Sequence, residues 1–275
     1  LGYLCLAITE KAMEYPVIDP VAVAVGPLVI HWYGLMYVVG FLSAWWLGRL
    51  RADYLGLGKE DISDLIFYSA IGVIVGGRLG YAIFYSMEQW LSNPLWVFQV
   101  WDGGMSFHGG LLGVVVAMLF FARKKSIAFI DMADFIAPLA PIGLGAGRLG
   151  NFINQELPGR ITDVPWALIF PQVGPEPRHP SALYEMVFEG AVLFVVLFWL
   201  SCRPRRRGLL SGAFLFGYGV FRFAVEFVRM PDAHLGFIAF DWVTMGHLLT
   251  LPMLLVGAAL ILWSRSQPVA CVKGA

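Results

Sequence analysis

Residues 242–264 read WVTMGHLLTLPMLLVGAALILWS and contain no Asp, Glu, Lys or Arg. A helix that crosses the hydrocarbon core of a bilayer needs about 20 such residues in a row. Leu28–Gly48 and Gly103–Ala122 are equally free of charge. Working outward, the whole chain has the same character. Of 275 residues, 59% are hydrophobic and only 14% are charged, with a mean hydropathy of +0.72. Soluble domains carry roughly 25% charged residues. The composition therefore describes an all-α, polytopic integral membrane protein. A β-barrel would show short alternating segments instead.

Seven spans are expected, at Leu28–Leu50, Ile62–Tyr85, Phe107–Ala122, Met132–Asn154, Pro180–Cys202, Leu209–Phe227 and Val243–Arg265. They divide the chain into an N-terminal extension and outer segment (1–27), a seven-helix transmembrane domain (28–265) and a cytoplasmic tail (266–275). Residues 1–12 lack a basic start, and Glu10 and Lys11 interrupt their apolar run, so they do not read as a signal peptide. Met13 is the expected true start.

The basic residues orient the spans. Arg49, Arg51 and Lys59, then Arg123, Lys124 and Lys125, then Arg203, Arg205, Arg206 and Arg207, then Arg265 and Lys273 all fall on one side. The loop 86–106 has none. The positive-inside rule places the N-terminus outside and the C-terminus in the cytoplasm.

Against that trend, Arg78, Arg148, Arg160, Arg178, Arg222 and Arg229 lie toward the outer ends of helices or in outer loops. Ionisable groups at such depth are costly and need a reason. The plain alternative is ion pairing between helices, with Glu156, Glu185, Glu189 and Glu226 as partners. The favoured reading is a water-accessible anion site, on the ground that the arginines face fewer local carboxylates than pairing would use. Arg78, Arg148 and Arg222 suggest that the second, fourth and sixth helices line a polar, outward-facing cavity. GGRLGYAIF (76–84) echoes AGRLGNFIN (146–154).

Two constellations sharpen this. Tyr218, Arg222, Glu226 and Arg229 are spaced to share one helical face. In GAGRLGNFINQELPGR (145–160), Arg148, Asn151, Gln155 and Gly159 would form a second stripe if the helix runs that far. Gly143, Gly145, Gly147 and Gly150 allow either close helix packing or a break that exposes backbone N–H groups to an anion.

In WDGGMSFHGGLLG (101–113), His108 stands at a loop-to-helix junction. An imidazole with a pKa near 6.5 is a candidate base. His179 precedes Pro180 and reads as a helix start. His247 reads as a structural, mid-helix residue, His31 sits before Tyr33 within HWYGLMY (31–37), and His234, in a loop, is uninformative. Histidine spacing does not suit zinc, so no catalytic metal is expected, and no cofactor. Cys5, Cys202 and Cys271 are too scattered for a disulfide framework. Zero net charge gives no reason to expect a nucleic-acid partner.

HWYGLMY (31–37), GGRLGY (76–81), WDGGMSFHGGL (101–111), GRLGNFIN (147–154), RHPSALYE (178–185) and YGVFRFAVEFVRMPD (218–232) occur in this order. Together they resemble the bacterial prolipoprotein diacylglyceryl transferase family, over nearly the whole chain from about Met13. GRLGNFIN looks like the family signature. Gln155 stands where the family often has Gly, and Pro158 where it often has an aromatic residue. Both departures concern local loop geometry.

The resemblance implies transfer of the diacylglyceryl group of phosphatidylglycerol to the lipobox cysteine of a prolipoprotein signal peptide, in the bacterial inner membrane and toward the periplasm. It implies that Arg148 and Arg222 hold the lipid phosphate. Asn151 and Gly159 would shape that pocket, and Tyr33, His108, Tyr218 and Glu226 would complete it. His108 is the expected thiol base. The nucleophile belongs to the substrate, which makes the chain's own cysteines incidental. An anion or lipid transporter is the rival reading, since buried arginines and Gly-interrupted helices suit one too. A membrane scaffold is the second.

Overall fold

A computed structural model describes residues 13–26, 28–231 and 236–270. The expectations for residues 1–12, for Cys5, Cys271 and His234, and for most of the tail lie outside the described residues. The chain divides into two compact units. The first holds residues up to Ser43 together with Ala137–Ala270, and the second holds Ala44–Ile136.

Among the described residues, five helices are long and apolar enough to cross a membrane: α2 (Lys59–Tyr85), α4 (Phe107–Lys124), α7 (Ser181–Ser201), α8 (Leu209–Glu226) and α9 (Met245–Ser264). A broken pair, α5 (Phe129–Ile136) and α6 (Ala140–Ile153), makes a sixth if counted as one span. The all-α, polytopic architecture is thus as expected, with five or six of the seven expected spans meeting that length and apolarity among the described residues. Two local causes explain the difference. Residues Leu28–His31 form a strand, so α1 covers only Trp32–Leu50, a stretch rich in Trp and Tyr with Arg49 in its last turn. The expected Met132–Asn154 helix is interrupted at Pro138, which lacks an N–H and disfavours helical backbone at Ala137. Pro141 then sits in the first turn of α6, where its missing donor costs nothing.

In the second unit, α2 and α4 pack through glycines. A Cβ on Gly76 would strike the carbonyl of Gly109 and lie 2.9 Å from Gly113 Cα, and one on Gly80 would lie 2.8 Å from Gly109 Cα. Helices in lipid have no apolar surface to hide from water, so such backbone proximity is what holds them together. Ser106 caps α4 by accepting the Gly109 N–H at 3.2 Å. A short helix α3 (Met87–Ser92) follows α2.

The guanidinium of Arg78 is buried in this unit and donates to the carbonyls of Val97 (3.0 Å), Trp96 (3.0 Å), Gln99 (2.8 Å) and Gly103, while lying 4.2 Å from the Trp96 ring centre. It anchors the loop before α4. The expectation that Arg78 lines an anion cavity alongside Arg148 is therefore corrected. The two GRLG sequences do different jobs: this one binds carbonyls, the other binds carboxylates.

The first unit carries the remaining elements. Strands β1 (Met13–Glu14), β4 (Leu168–Ile169) and β5 (Pro177–Arg178) form a sheet in the order β1-β4-β5, with the first pair parallel. Strands β2 (Val21–Val25) and β3 (Leu28–His31) form a hairpin, and β6 (Arg205–Arg206) pairs with β7 (Val269–Ala270). Buried Tyr15 donates to the carbonyls of Phe152 and Ile153 at 3.0 Å, tying the sheet to the last turn of α6. Leu193, Leu197 and Leu210 pack α7 on α8. Gly212 and Gly257 bring α8 close to α9.

Glycine contacts predict opposite mutational outcomes. Gly76→Val overfills the α2–α4 contact and should cost about 1–3 kcal/mol. Gly147, whose Cβ direction is open, should accept Ala with a gain of up to about 1 kcal/mol in helix propensity. Thermal unfolding midpoints in detergent would check both.

Candidate functional site

Three helices of the first unit bring six charged side chains together. Arg148 comes from α6, Glu185 and Glu189 from α7, and Arg222 and Glu226 from α8, with Arg229 just beyond its end. Glycine again sets the spacing. A Cβ on Gly145 would lie 3.1 Å from Gly190 Cα, so α6 and α7 meet backbone to backbone one turn from the charges. Met186–Val192 of α7 is wound as a π-helix, a wider turn that recurs at functional sites.

Within the cluster, Glu185 is the hub. Its Oε2 lies 3.0 Å from Arg148 Nε, while its Oε1 accepts from Arg222 Nη1 and lies 3.4 Å from Arg229 Nη1. Glu189 Oε2 is 3.5 Å from Arg148 Nη2, and Glu226 Oε2 is 2.6 Å from Arg222 Nη2. Tyr218 packs beside Arg148, in reach of it through its hydroxyl. The layering is directional. The Glu185, Glu189 and Glu226 side chains are 1%, 0% and 6% exposed, whereas Arg148, Arg222 and Arg229 retain 19%, 13% and 13%. Carboxylates lie behind and guanidiniums in front.

This corrects the argument that the arginines outnumber nearby carboxylates. Three buried glutamates match three arginines, and for two of them, Glu185 and Glu189, the sequence suggests no role beyond ion pairing. Their signal was available: two acids at i and i+4 in an otherwise apolar span. Thr244 was missed altogether. Its hydroxyl donates to Glu226 Oε1 at 2.7 Å, and nothing in its sequence context marks it.

The GRLGNFIN run is helical to Ile153, so the second stripe ends there. Asn151 is on the helix and buried, donating to Glu156 Oε2 at 2.7 Å. Gln155 and Gly159 lie beyond it. Gln155 takes the left-handed φ of 54°, a conformation glycine adopts without steric cost. Gly143, Gly145 and Gly150 are packing glycines, facing Gly40, Gly190 and Tyr33. No break in α6 exposes backbone N–H groups, and that alternative is corrected.

Gly159 threads between two other segments. Its N–H donates to His179 O at 2.9 Å, and Arg160 N–H donates to Val228 O at 2.8 Å. A Cβ there would lie 2.5 Å from His179 O and 2.7 Å from Val228 O, so only glycine fits. Arg160 donates to the Arg229 carbonyl at 2.9 Å, closing the loop over the end of α8. His179 directly precedes the first turn of α7, as expected, with burial holding its imidazole below the usual value and Tyr184 Oη 3.2 Å from Nδ1.

Tyr33 packs against α6, and a Cβ on Gly150 would be 2.7 Å from its ring. The first unit thus unites Tyr33, Arg148, Asn151, Gly159, Tyr218, Arg222 and Glu226. His108 belongs to the second unit, in the first turn of α4, exposed and edge-on to Phe107 at 5.5 Å. His247 sits in the first turn of α9 rather than mid-helix, buried between Phe223, Phe227 and Trp242.

A row of guanidiniums backed by buried carboxylates can bind an anion by forked, charge-assisted hydrogen bonds while its own desolvation is offset from behind.

The model of a family described as prolipoprotein diacylglyceryl transferase matches residues 20–263. The chain is similar to proteins named phosphatidylglycerol--prolipoprotein diacylglyceryl transferase in three genera. It shares 67% identity over 257 residues with that of Chromohalobacter salexigens, covering 94% of this chain and 96% of the relative. The identity is 54% over 265 residues with that of Pseudomonas aeruginosa (96% and 100%), and 56% over 257 residues with that of Vibrio cholerae (93% and 94%).

Removing the hub should be costly. Glu185→Gln leaves three guanidiniums without their shared carboxylate and should destabilise the protein by about 3–5 kcal/mol. Glu156→Gln, at an exposed position, should change stability by less than about 1 kcal/mol. Denaturation of the detergent-solubilised protein distinguishes the two.

Proposed function

Because the chain belongs to the prolipoprotein diacylglyceryl transferase family, we propose that it moves the diacylglyceryl group of phosphatidylglycerol onto the lipobox cysteine of prolipoproteins. It is a membrane transferase. The sulfur of the substrate cysteine forms a bond to the glycerol carbon of the lipid, and the bond from that carbon to the phosphate oxygen breaks. The thiol proton is taken up by a base, and glycerol phosphate leaves with the electron pair. The observation that carries this reading is the row of partly exposed guanidiniums of Arg148, Arg222 and Arg229 over buried carboxylates.

In this reading Arg148 and Arg222 hold the phosphodiester and stabilise the charge that grows on it as the carbon–oxygen bond breaks. Tyr218 presents a hydroxyl to the same group. Tyr33, Asn151 and Gly159 shape the pocket, and Glu226 holds Arg222. A thiol has a pKa of about 8.5, so a base raises the thiolate fraction. His108 is proposed for that task on its sequence context alone. The protein lies in the inner membrane, with its N-terminus and site toward the periplasm and its C-terminus in the cytoplasm, as the basic loops indicate. Helix α1 serves as a further span, its Trp and Tyr side chains suited to the interface.

The decisive assay combines the purified protein, labelled phosphatidylglycerol and a lipobox peptide. Label should appear on the peptide thiol; its absence would overturn the reading in favour of an anion or lipid transporter. His108→Gln should lower turnover by about 10²–10⁴-fold, the usual contribution of a general base. Near-normal turnover in that variant would remove His108 from the mechanism.

A further inference from the structure

We propose that Thr244, at the start of α9, is a positioning residue for the lipid phosphate, acting on Arg222 through Glu226. The inference rests on the transferase reading above and assigns a part of the site that neither α6 nor α8 supplies.

Glu226 is buried and has two carboxylate oxygens to satisfy. Oε2 meets Arg222 Nη2 at 2.6 Å. Oε1 accepts the Thr244 hydroxyl at 2.7 Å. The second contact fixes the plane of the carboxylate, and the plane decides which edge of the Arg222 fork stays turned to the exposed side. Two further features keep Thr244 in place. Its backbone N–H donates to His247 Nδ1 at 3.2 Å. The hydroxyl oxygen also lies 3.1 Å from Nδ1, but the carboxylate is the nearer and the charged acceptor, and it takes the hydroxyl proton. His247 is in turn wedged between Phe223, Phe227 and Trp242, with ring centres 4.6, 4.7 and 5.4 Å away.

Gly246 completes the holder. A Cβ on this residue would collide with the Glu226 carboxyl group, lying 2.6 Å from Oε2. The first turn of α9 thus supplies a donor for one oxygen of Glu226 and an empty side for the rest of the carboxylate. The contacts of both residues are with Glu226, so their route to Arg222 runs through that carboxylate.

The test uses the full-length protein in detergent with phosphatidylglycerol and a lipobox peptide, each varied separately. Thr244→Val keeps the shape and removes the donor. A hydrogen bond to a charged group corresponds to roughly a tenfold to hundredfold effect. The expected result is a loss of that size in kcat/KM for phosphatidylglycerol, an unchanged KM for the peptide, and recovery to within about threefold in Thr244→Ser. Gly246→Ala displaces the same carboxylate from the other side and should give the same lipid-selective loss. It also serves as the test if Thr244→Val does not fold.

An unchanged kcat/KM for the lipid in folded Thr244→Val or Gly246→Ala overturns the proposal. Equal losses toward lipid and peptide, or no recovery with serine, also overturn it, since those are the marks of a structural role. Absence of transfer by the unmodified protein would instead sink the transferase reading itself.

Discussion

Burying carboxylates beside guanidiniums in an apolar protein is the constraint on which the rest of the first unit depends. Each isolated charge would cost several kcal/mol to desolvate, and only close pairing with well-placed hydrogen bonds offsets that cost. Glu185 therefore has to reach arginines from two other segments at once. That requirement explains the glycine contact between α6 and α7, the π-wound turn of α7, and the glycine on α9 that yields to Glu226. The architecture is a means of bringing three helices to one group of charges at hydrogen-bond distance.

The loop after α6 follows from the same demand. Leaving the helix at Asn154, the chain turns back through left-handed residues at Gln155 and Leu157 and passes between the segment before α7 and the end of α8. Gly159 has carbonyls on both sides, so the loop is a tight insert with a fixed path. Arg160 and Asn151 then spend their polar groups on neighbouring backbone and on Glu156. These residues shape the site without joining its ion pairs.

Much of this was legible in the sequence, and the failures have physical causes. Long apolar runs located the five long helices, two of them free of charge over most of their length, because lipid leaves little freedom in what a span can be made of. The spacing of Tyr218, Arg222 and Glu226 placed them on one face, since one helix supplies all three. Pairing between helices was hidden. Glu185 and Glu189 stand far in sequence from Arg148 and Arg222, and no local pattern records that α6, α7 and α8 converge. Arg78 misled for a related reason: the same GRLG letters precede a loop whose free carbonyls claim its guanidinium. Proline at 138 announced a break, yet the hydrophobic period on either side reads as one uninterrupted helix.

The even match of three arginines to three glutamates has a bearing on turnover. Such a group attracts a singly charged phosphodiester through its front layer without presenting a large excess of positive charge. In the proposed reaction the departing phosphomonoester carries more negative charge than the diester that arrived, about −1.5 to −2 near neutrality. The acids at the rear lower the positive potential that the arginines in front present, so the more highly charged product is held less tightly than arginines alone would hold it.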